Sequence, residues 1–300
     1  MRCLLLGATG FLGTHVRTRL AAAPGVHVLP AGRSGGVLRV DLAGAGPGEL
    51  GSMLRETAPD VVVNCAGVTG GDAVAMAAGN VVAVANLLAA LDRHTRPIRL
   101  VHLGSAAEYG AVPAGRPVPE TYPAQPVSAY GMSKLAGTEL VLTARRHGRP
   151  ATVLRVFNPI GPGTPASLLP GRLVATLRRA AETGERARLG SLAGHRDFVD
   201  ARDVAEAVHA AAVSTDRLPG VLNVGSGRAT ALRDLAELAA KATGVEPPLE
   251  DDAGSPRSAA VTWQQADIGA ITTALRWQPV YPIPASLRDM GLTAAAPAAS

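Results

Sequence analysis

Apolar residues fall into short unbroken runs of four or five positions, separated by stretches in which they recur with helical spacing. Runs of that length without alternation mark strands buried on both faces, the habit of a parallel sheet. Residues 2–6 form the first and lead at once into a glycine-rich turn and a helix over about residues 11–22. A second strand runs from about Val26 to Pro30, and a short one is expected over Val37 to Val40. Residues 47–57 read as a helix that stops before the Ala58-Pro59 break. Asp60 to Asn64 and Ile98 to Leu103 are further buried strands, with an alanine-rich helix over about residues 72–94 between them. Asn80, inside that helix, is expected to hydrogen-bond a neighbouring loop. Residues 128–147 form the next helix, followed by the strand Ala151 to Phe157. Strand alternating with helix in this order predicts an α/β fold with a doubly wound parallel sheet.

Beyond Phe157 the pattern loosens. Asn158-Pro159-Ile160-Gly161-Pro162-Gly163 reads as a rigid, turn-rich hinge. A helix over about 168–183 follows, then the polar run Gly194 to Asp203, a helix over about 202–213 and a strand and turn over Leu222 to Gly227. Helices are expected near 231–243 and 265–275, around an exposed, flexible Glu246 to Arg257 segment. Pro113 to Pro126 is an irregular excursion, expected to edge a lid. The division that follows is a dinucleotide-binding domain over 1–157 and a smaller, mainly helical substrate lobe over 158–291. About 197–224 of that lobe should pack back on the core, and residues 292–300, rich in Ala and Pro, should be disordered.

Composition sharpens this picture in two ways. Of 300 residues 47% are hydrophobic but only 3% aromatic, so the core must be built from Ala, Val and Leu. The net charge is +5, yet Lys134 and Lys241 are the only lysines and the arginines are scattered, with no basic run interleaved with aromatics. A nucleic-acid partner is not expected; a mild positive excess suits a small polyphosphate substrate. Cys3 and Cys65 lie inside apolar runs and read as small buried hydrophobes, and there is no metal motif. We read no apolar run of ~18 residues and no leader before the first strand, so a cytoplasmic protein with no membrane partner is expected.

Three stretches carry candidate chemistry. In Gly7-Ala8-Thr9-Gly10-Phe11-Leu12-Gly13, after a strand and before a helix, glycines let the backbone approach a pyrophosphate seated on the helix N-terminus. Gly7, Thr9, Gly10, Phe11, Leu12 and Gly13 are therefore candidate cofactor contacts, with Ala66 and Gly67 beside the pyrophosphate and ribose. About 20 residues past this turn, where an acid would hold the ribose hydroxyls of NAD, stands Arg33, and no acid occurs before Asp41. A guanidinium there pairs with a 2′-phosphate, so NADP(H) is preferred, with NAD(H) possible. Asp41 and Leu42 fall where adenine contacts could lie. The strand ending at Leu103 delivers Ser105 to the ligand side of the sheet. Tyr130 and Lys134, four residues apart on one helix face, can act on one reacting group. An ammonium beside a phenol lowers its pKa from ~10 and makes it a usable acid or base.

Taken together, these motifs resemble the extended short-chain dehydrogenase/reductases, the nucleotide-sugar epimerases, dehydratases and reductases, over about residues 2–290. The signposts are the Gly7 to Gly13 turn, Ser105 with Glu108-Tyr109-Gly110, Tyr130 and Lys134, Arg155 to Gly163, Arg196 to Val204 and Asn223-Val224-Gly225. The resemblance implies a Rossmann-type core and a homodimer joined through the helices at 72–94 and 128–147. It implies Tyr130 as acid/base, Lys134 as holder of the nicotinamide ribose, and Ser105 as hydrogen-bond partner of the reacting oxygen. Pro159 would touch the cofactor, while Asn158, Arg196 and Arg257 would bind the nucleotide-diphosphate sugar. Ala106 and Ala107 stand where related dehydratases carry acids, which argues against elimination of water. The pattern is most similar to GDP- or TDP-4-keto-6-deoxyhexose reductases. A nucleotide-sugar epimerase stays open as an alternative, as does, more remotely, a non-catalytic NADP-sensing regulator.

Overall fold

Leu4 and Leu6 face one side of the first strand, Cys3 and Leu5 the other, and all four are fully buried. Both faces of the sheet are covered, which is why the run shows no polar alternation. The computed structural model describes residues 1–34, 38–243, 250–251 and 261–292. Its elements are β1 (Arg2–Leu6), α1 (Phe11–Ala21), β2 (His27–Gly32), β3 (Leu38–Arg39), α2 (Pro47–Thr57), β4 (Val61–Asn64) and α3 (Ala73–Asp92). Next come β5 (Arg99–Ser105), a short 3₁₀ turn (Ala106–Glu108), α4 (Ala129–Arg146), β6 (Ala151–Val156), β7 (Asn158–Ile160) and α5 (Leu169–Thr183). The remainder is β8 (Arg188–Leu189), β9 (His195–Asp200), α6 (Ala201–Val213), β10 (Val221–Val224), β11 (Ala229–Ala231), α7 (Leu232–Thr243), β12 (Glu250–Asp251), α8 (Gly269–Leu275) and α9 (Ile283–Leu292).

Seven parallel strands form the main sheet in the order β10-β6-β5-β4-β1-β2-β3. The expected doubly wound α/β fold is borne out. Its order reverses between β1 and β4, and the crevice beyond their carboxyl ends is where open sheets of this kind receive ligands. Helices α1, α6 and α8 cover one face, α2, α3 and α4 the other. A second core joins the small sheet β11-β9-β7 to α5, α7 and α9 through Ile160, Leu173, Phe198, Leu235 and Leu287.

Several elements differ from the sequence reading. Asn158-Pro159-Ile160 is not a hinge turn but β7, paired in parallel with β9. The polar run around residue 197 is a buried strand, because its carboxylates are satisfied within the protein. Asp197 accepts from the backbone N–H of Ser226 (2.6 Å), Gly227 (3.0 Å) and Ala266 (2.9 Å). Asp200 is engaged by Arg202 and by Ser286. The helix expected over about 265–275 starts only at Gly269. Pro113 to Pro126 is anchored more firmly than a lid edge: Val118 and Tyr122 pack with Tyr109 and Phe157, and Glu120 accepts from the N–H of Asn223 (2.8 Å). The flexible segment expected through Arg257 and the tail at 292–300 lie outside the described residues but for Glu250, Asp251 and Leu292, which end in β12 and α9.

Helix α3 overturns one expectation. Ala73–Asp92 is long and apolar enough to cross a membrane, with mean hydropathy 2.0. Here Leu87, Leu88 and Leu91 pack on the main sheet instead. Asn86 donates to the carbonyls of Leu42 and Ala45 (both 3.1 Å), and Asn80 is bound at both ends to Val68. Five residues around Asn80, Ala78–Val82, take a π-helical turn within this helix.

Candidate active site

The cofactor side of the site begins at the first βα turn. A Cβ on Gly13 would lie 1.9 Å from the carbonyl oxygen of Gly7, so glycine alone lets α1 close onto β1. Gly10 caps α1 without a side-chain bond, and no acid stands in the first turn, so the free N–H groups there suit an anion. Thr9 and Gly10 are exposed, while Phe11 and Leu12 are half-buried at the helix start. Ala66 lies directly against Gly7, and Gly67 beside Asn80 Oδ1 and Lys134 Nζ. This set fits the pyrophosphate and ribose of a dinucleotide. Beyond β2 stands exposed Arg33, with no acid between it and Asp41 among the described residues. Asp41 accepts from the N–H of Ala43 (3.2 Å) in a local turn. Leu42 is buried in the core, which leaves little of its side chain for an adenine.

Ser105 is the last residue of β5 and caps the 3₁₀ turn. Its Oγ accepts from the N–H of Ala107 (3.2 Å), and its own N–H donates to Glu108 Oε1 (2.7 Å). Glu108 is fully buried, and its Oε2 accepts from Arg155 Nε (2.7 Å). The Arg155 guanidinium lies 4.6 Å over the Tyr109 ring, and the Tyr109 hydroxyl donates to Asn223 Oδ1 (2.7 Å). Burial alone would lower the Arg155 pKa, but Glu108 and Tyr109 outweigh it and hold it above the usual value. The Glu108-Tyr109-Gly110 signature is thus a buried brace beneath Ser105.

Helix α4 brings the tyrosine and lysine to this turn. Ser128 caps it by accepting from the N–H of Gly131 (3.1 Å). A Cβ on Gly131 would lie 2.4 Å from the carbonyl of Ala107, so its absence allows the helix start to press against the Ser105–Ala107 turn. Tyr130 therefore reaches the cleft beside Ser105. One turn later Lys134 is buried behind it, Nζ donating to the carbonyl of Leu103 (2.6 Å). Burial lowers the Lys134 pKa, opposed by Glu108 and Cys65. Asn80, as expected, serves a loop: it grips both N–H and carbonyl of Val68 (2.8 Å each) and donates to Ser133 Oγ (3.0 Å).

A cleft of about 630 Å³ opens between the main sheet and the small one, lined by Ser105, Tyr130, Asn158, Pro159 and Arg196. Arg196 is buried, with Nη1 on the carbonyl of His195 (2.9 Å) and Nη2 on that of Val261 (2.5 Å). No carboxylate among the described residues pairs with it, since Asp197 and Asp200 are committed elsewhere, and burial lowers its pKa. Asn158 donates to the carbonyl of Asp197 and to Gln264. Arg257 lies outside the described residues. The sequence reading missed Thr69, Arg172, Arg188 and Gln264, which also line the cleft. Arg172 sits on a helix whose pattern marks it as solvent-facing, and Gln264 carries no motif, so neither had a signal. At one end the cleft gathers a hydroxyl, a phenol and, behind them, an ammonium, groups able to hold an oxygen and move a proton. Its wall offers a guanidinium for an anion.

Comparison with known proteins agrees with these motifs. The chain is 37% identical over 305 residues to a dTDP-6-deoxy-L-talose 4-dehydrogenase (NAD(P)(+)) of Kitasatospora kifunensis, covering 96% of this chain and 94% of that one. It is 30% identical over 299 residues to a GDP-6-deoxy-D-mannose reductase of Pseudomonas aeruginosa, with 96% and 95% covered. The structure of RMD from Pseudomonas aeruginosa complexed with NADPH superposes with a TM-score of 0.84 at 29% identity, covering 97% of each chain. The resemblance to extended short-chain dehydrogenase/reductases is borne out. The family model matches residues 3–225, and the chain belongs to the NAD dependent epimerase/dehydratase family.

Proposed function

We propose that this protein is an NADPH-dependent reductase of a nucleotide-activated 4-keto-6-deoxy sugar, with thymidine diphosphate as the first nucleotide to test. The observation that carries this reading is Arg196, a buried guanidinium with no carboxylate partner among the described residues, on the wall of the cleft that also receives Ser105 and Tyr130. Such a group suits a diphosphate, whose oxygens match its fork. The dTDP-sugar 4-dehydrogenase at 37% identity supports both the sugar carbon and the nucleotide.

When bound on the glycine turn, the dinucleotide supplies the hydride. Gly7 to Gly13 hold its pyrophosphate, and Arg33 reads a 2′-phosphate. Tyr130 gives its proton to the C4 oxygen, and Ser105 holds that oxygen in line through its hydroxyl. Lys134 holds the ribose with the N–H bonds left after Leu103, and its charge favours the tyrosinate. Ala106 and Ala107 stand where related dehydratases carry acids, which argues against elimination. The exposed Val74, Val82 and Met132 on α3 and α4 support a homodimer through these helices.

The test is a panel of dTDP-, GDP- and UDP-linked 4-keto-6-deoxy sugars, with NADPH or NADH followed by absorbance. Stoichiometric consumption of NADPH is expected. Turnover of a nucleotide sugar without cofactor loss would make the protein an epimerase. Tyr130→Phe should lower turnover by roughly 10²-fold with cofactor binding nearly intact.

A further inference from the structure

One side-chain amide on α3 holds three carbonyls of the loop that follows β3. Nδ2 of Asn86 donates to the carbonyls of Leu42 (3.1 Å), Ala43 (3.4 Å) and Ala45 (3.1 Å). Turning the amide over would set its oxygen against all three, so these partners fix its orientation. The carbonyl of Leu42 and the N–H of Ala43 belong to one planar trans peptide and point in opposite directions. Asn86 takes the carbonyl end. The N–H end donates to Oδ1 of Asp41 (3.2 Å), and the N–H of Ala45 closes the turn on the Asp41 carbonyl (2.7 Å). The orientation of the Asp41 carboxylate is thus set from α3 through a single peptide unit.

Asp41 is exposed, and its place in the sheet indicates what it meets. The N–H of Val40 still bonds the carbonyl of Gly32 (2.9 Å), so Asp41 and Arg33 leave β3 and β2 at the same, carboxyl end of the sheet. β3 lies two strands from β1, which puts this carboxylate roughly 10 Å across from the glycine turn. A dinucleotide with its pyrophosphate on that turn and its ribose beside Arg33 brings its adenine here. With Oδ1 on the backbone, Oδ2 is the oxygen that faces the base, an acceptor suited to the amine on C6 of adenine. We infer that Asn86 is a positioning residue for the cofactor: by holding the loop over 42–45 it aims the Asp41 carboxylate at that amine and gives the protein a preference for a 6-amino purine. This rests on the dinucleotide site within the proposed function and not on the choice of sugar.

Calorimetric titration with NADPH and with its deamino counterpart, which carries oxygen in place of the amine, tests it. Wild type should bind NADPH roughly tenfold more tightly, about the effect of one charge-assisted hydrogen bond. Asp41→Asn gives the sharper readout. With its oxygen kept on the N–H of Ala43 it presents an NH₂ to the base, and the preference should reverse toward the 6-oxo cofactor. Asn86→Ala should bring the ratio of affinities to within about twofold of one, alone and combined with Asp41→Asn. If Asn86→Ala does not fold, Asn86→Ser, with one O–H to give, replaces it and should lose most of the preference. No preference in wild type overturns the assignment, as does an unreversed preference in Asp41→Asn. A ratio that survives the loss of Asn86 while both forms weaken equally marks a merely structural contact and overturns it too. Repeating the pair with NADH and deamino-NADH separates this role from that of Arg33. Absence of turnover on keto sugars with the preference intact supports the assignment and fails the reductase reading alone.

Discussion

Arg155 and Arg196 are both buried arginines at the ligand side of their sheets, yet they sit in opposite electrostatic states. Arg155 is closed by its own chain, with Glu108 on Nε and the Tyr109 ring beneath, and its pKa is raised despite burial. Arg196 has two backbone carbonyls and no carboxylate among the described residues, and burial lowers its pKa. The first pattern is that of a structural brace, whose removal strands a partner. The second is that of a group held short of an anion, as a receptor for a charged ligand must be. The difference sets the two side chains apart without appeal to any motif.

The largest expected effect comes from breaking the brace. Arg155→Met leaves Glu108 as an uncompensated buried charge and should cost about 3–5 kcal/mol in denaturant unfolding. Adding Glu108→Gln should recover much of that loss; no recovery would mean that the pair is not the unit. Arg196→Met should do the reverse. We expect a KM for the sugar nucleotide roughly 100-fold higher, with a melting temperature unchanged or raised, because a desolvated charge is removed. A protein that loses stability as Arg155→Met does would erase the distinction. A third arginine, Arg33, is exposed. Arg33→Asp should shift the ratio of NADPH to NADH affinity by roughly tenfold or more while leaving stability alone; an unchanged ratio removes its 2′-phosphate role.

His102 offers the smallest and cleanest version of the same contrast. Burial, helped by Lys134, holds its pKa well below the usual value of about 6.5. Below that pH the unfolded chain takes up a proton that the folded one refuses, so the folded state loses stability as pH falls. The slope approaches ~1.4 kcal/mol per pH unit for one group. His102→Gln should flatten the melting-temperature profile between pH 7 and 5. An unaltered profile would assign the acid sensitivity to other groups.

The main sheet was legible because its strands announce themselves: Cys3 to Leu6 and Val61 to Val63 are buried on both faces and have no polar alternation to confuse the pattern. The glycine turn, Ser105, Tyr130 and Lys134 were legible for a related reason, since backbone approach and helical spacing leave marks in sequence. Strand β9 was hidden by its polarity. Whether Asp197 and Asp200 are exposed or buried depends on Ser226, Gly227, Ala266 and Ser286, from 29 to 86 residues away along the chain, and no local pattern carries that. Gln264 was invisible in the same way, because its partners Asn158 and Ala106 come from two other strands and turns.

The π-helical turn at Ala78–Val82 has a consequence for how α3 tolerates change. It accommodates one surplus residue inside a helix, where surplus residues are ordinarily taken up by loops. Counted back from Leu91, everything before Asn80 is rotated by about 100° from its place in an uninterrupted α-helix. Deleting one residue here would restore ideal hydrogen bonding and still damage the protein. Met76 would swing off the core, and Asn80 could no longer clamp Val68 beside Lys134. The irregular turn is thus a length standard: α3 is one residue too long for a perfect helix, and correct for the site it serves.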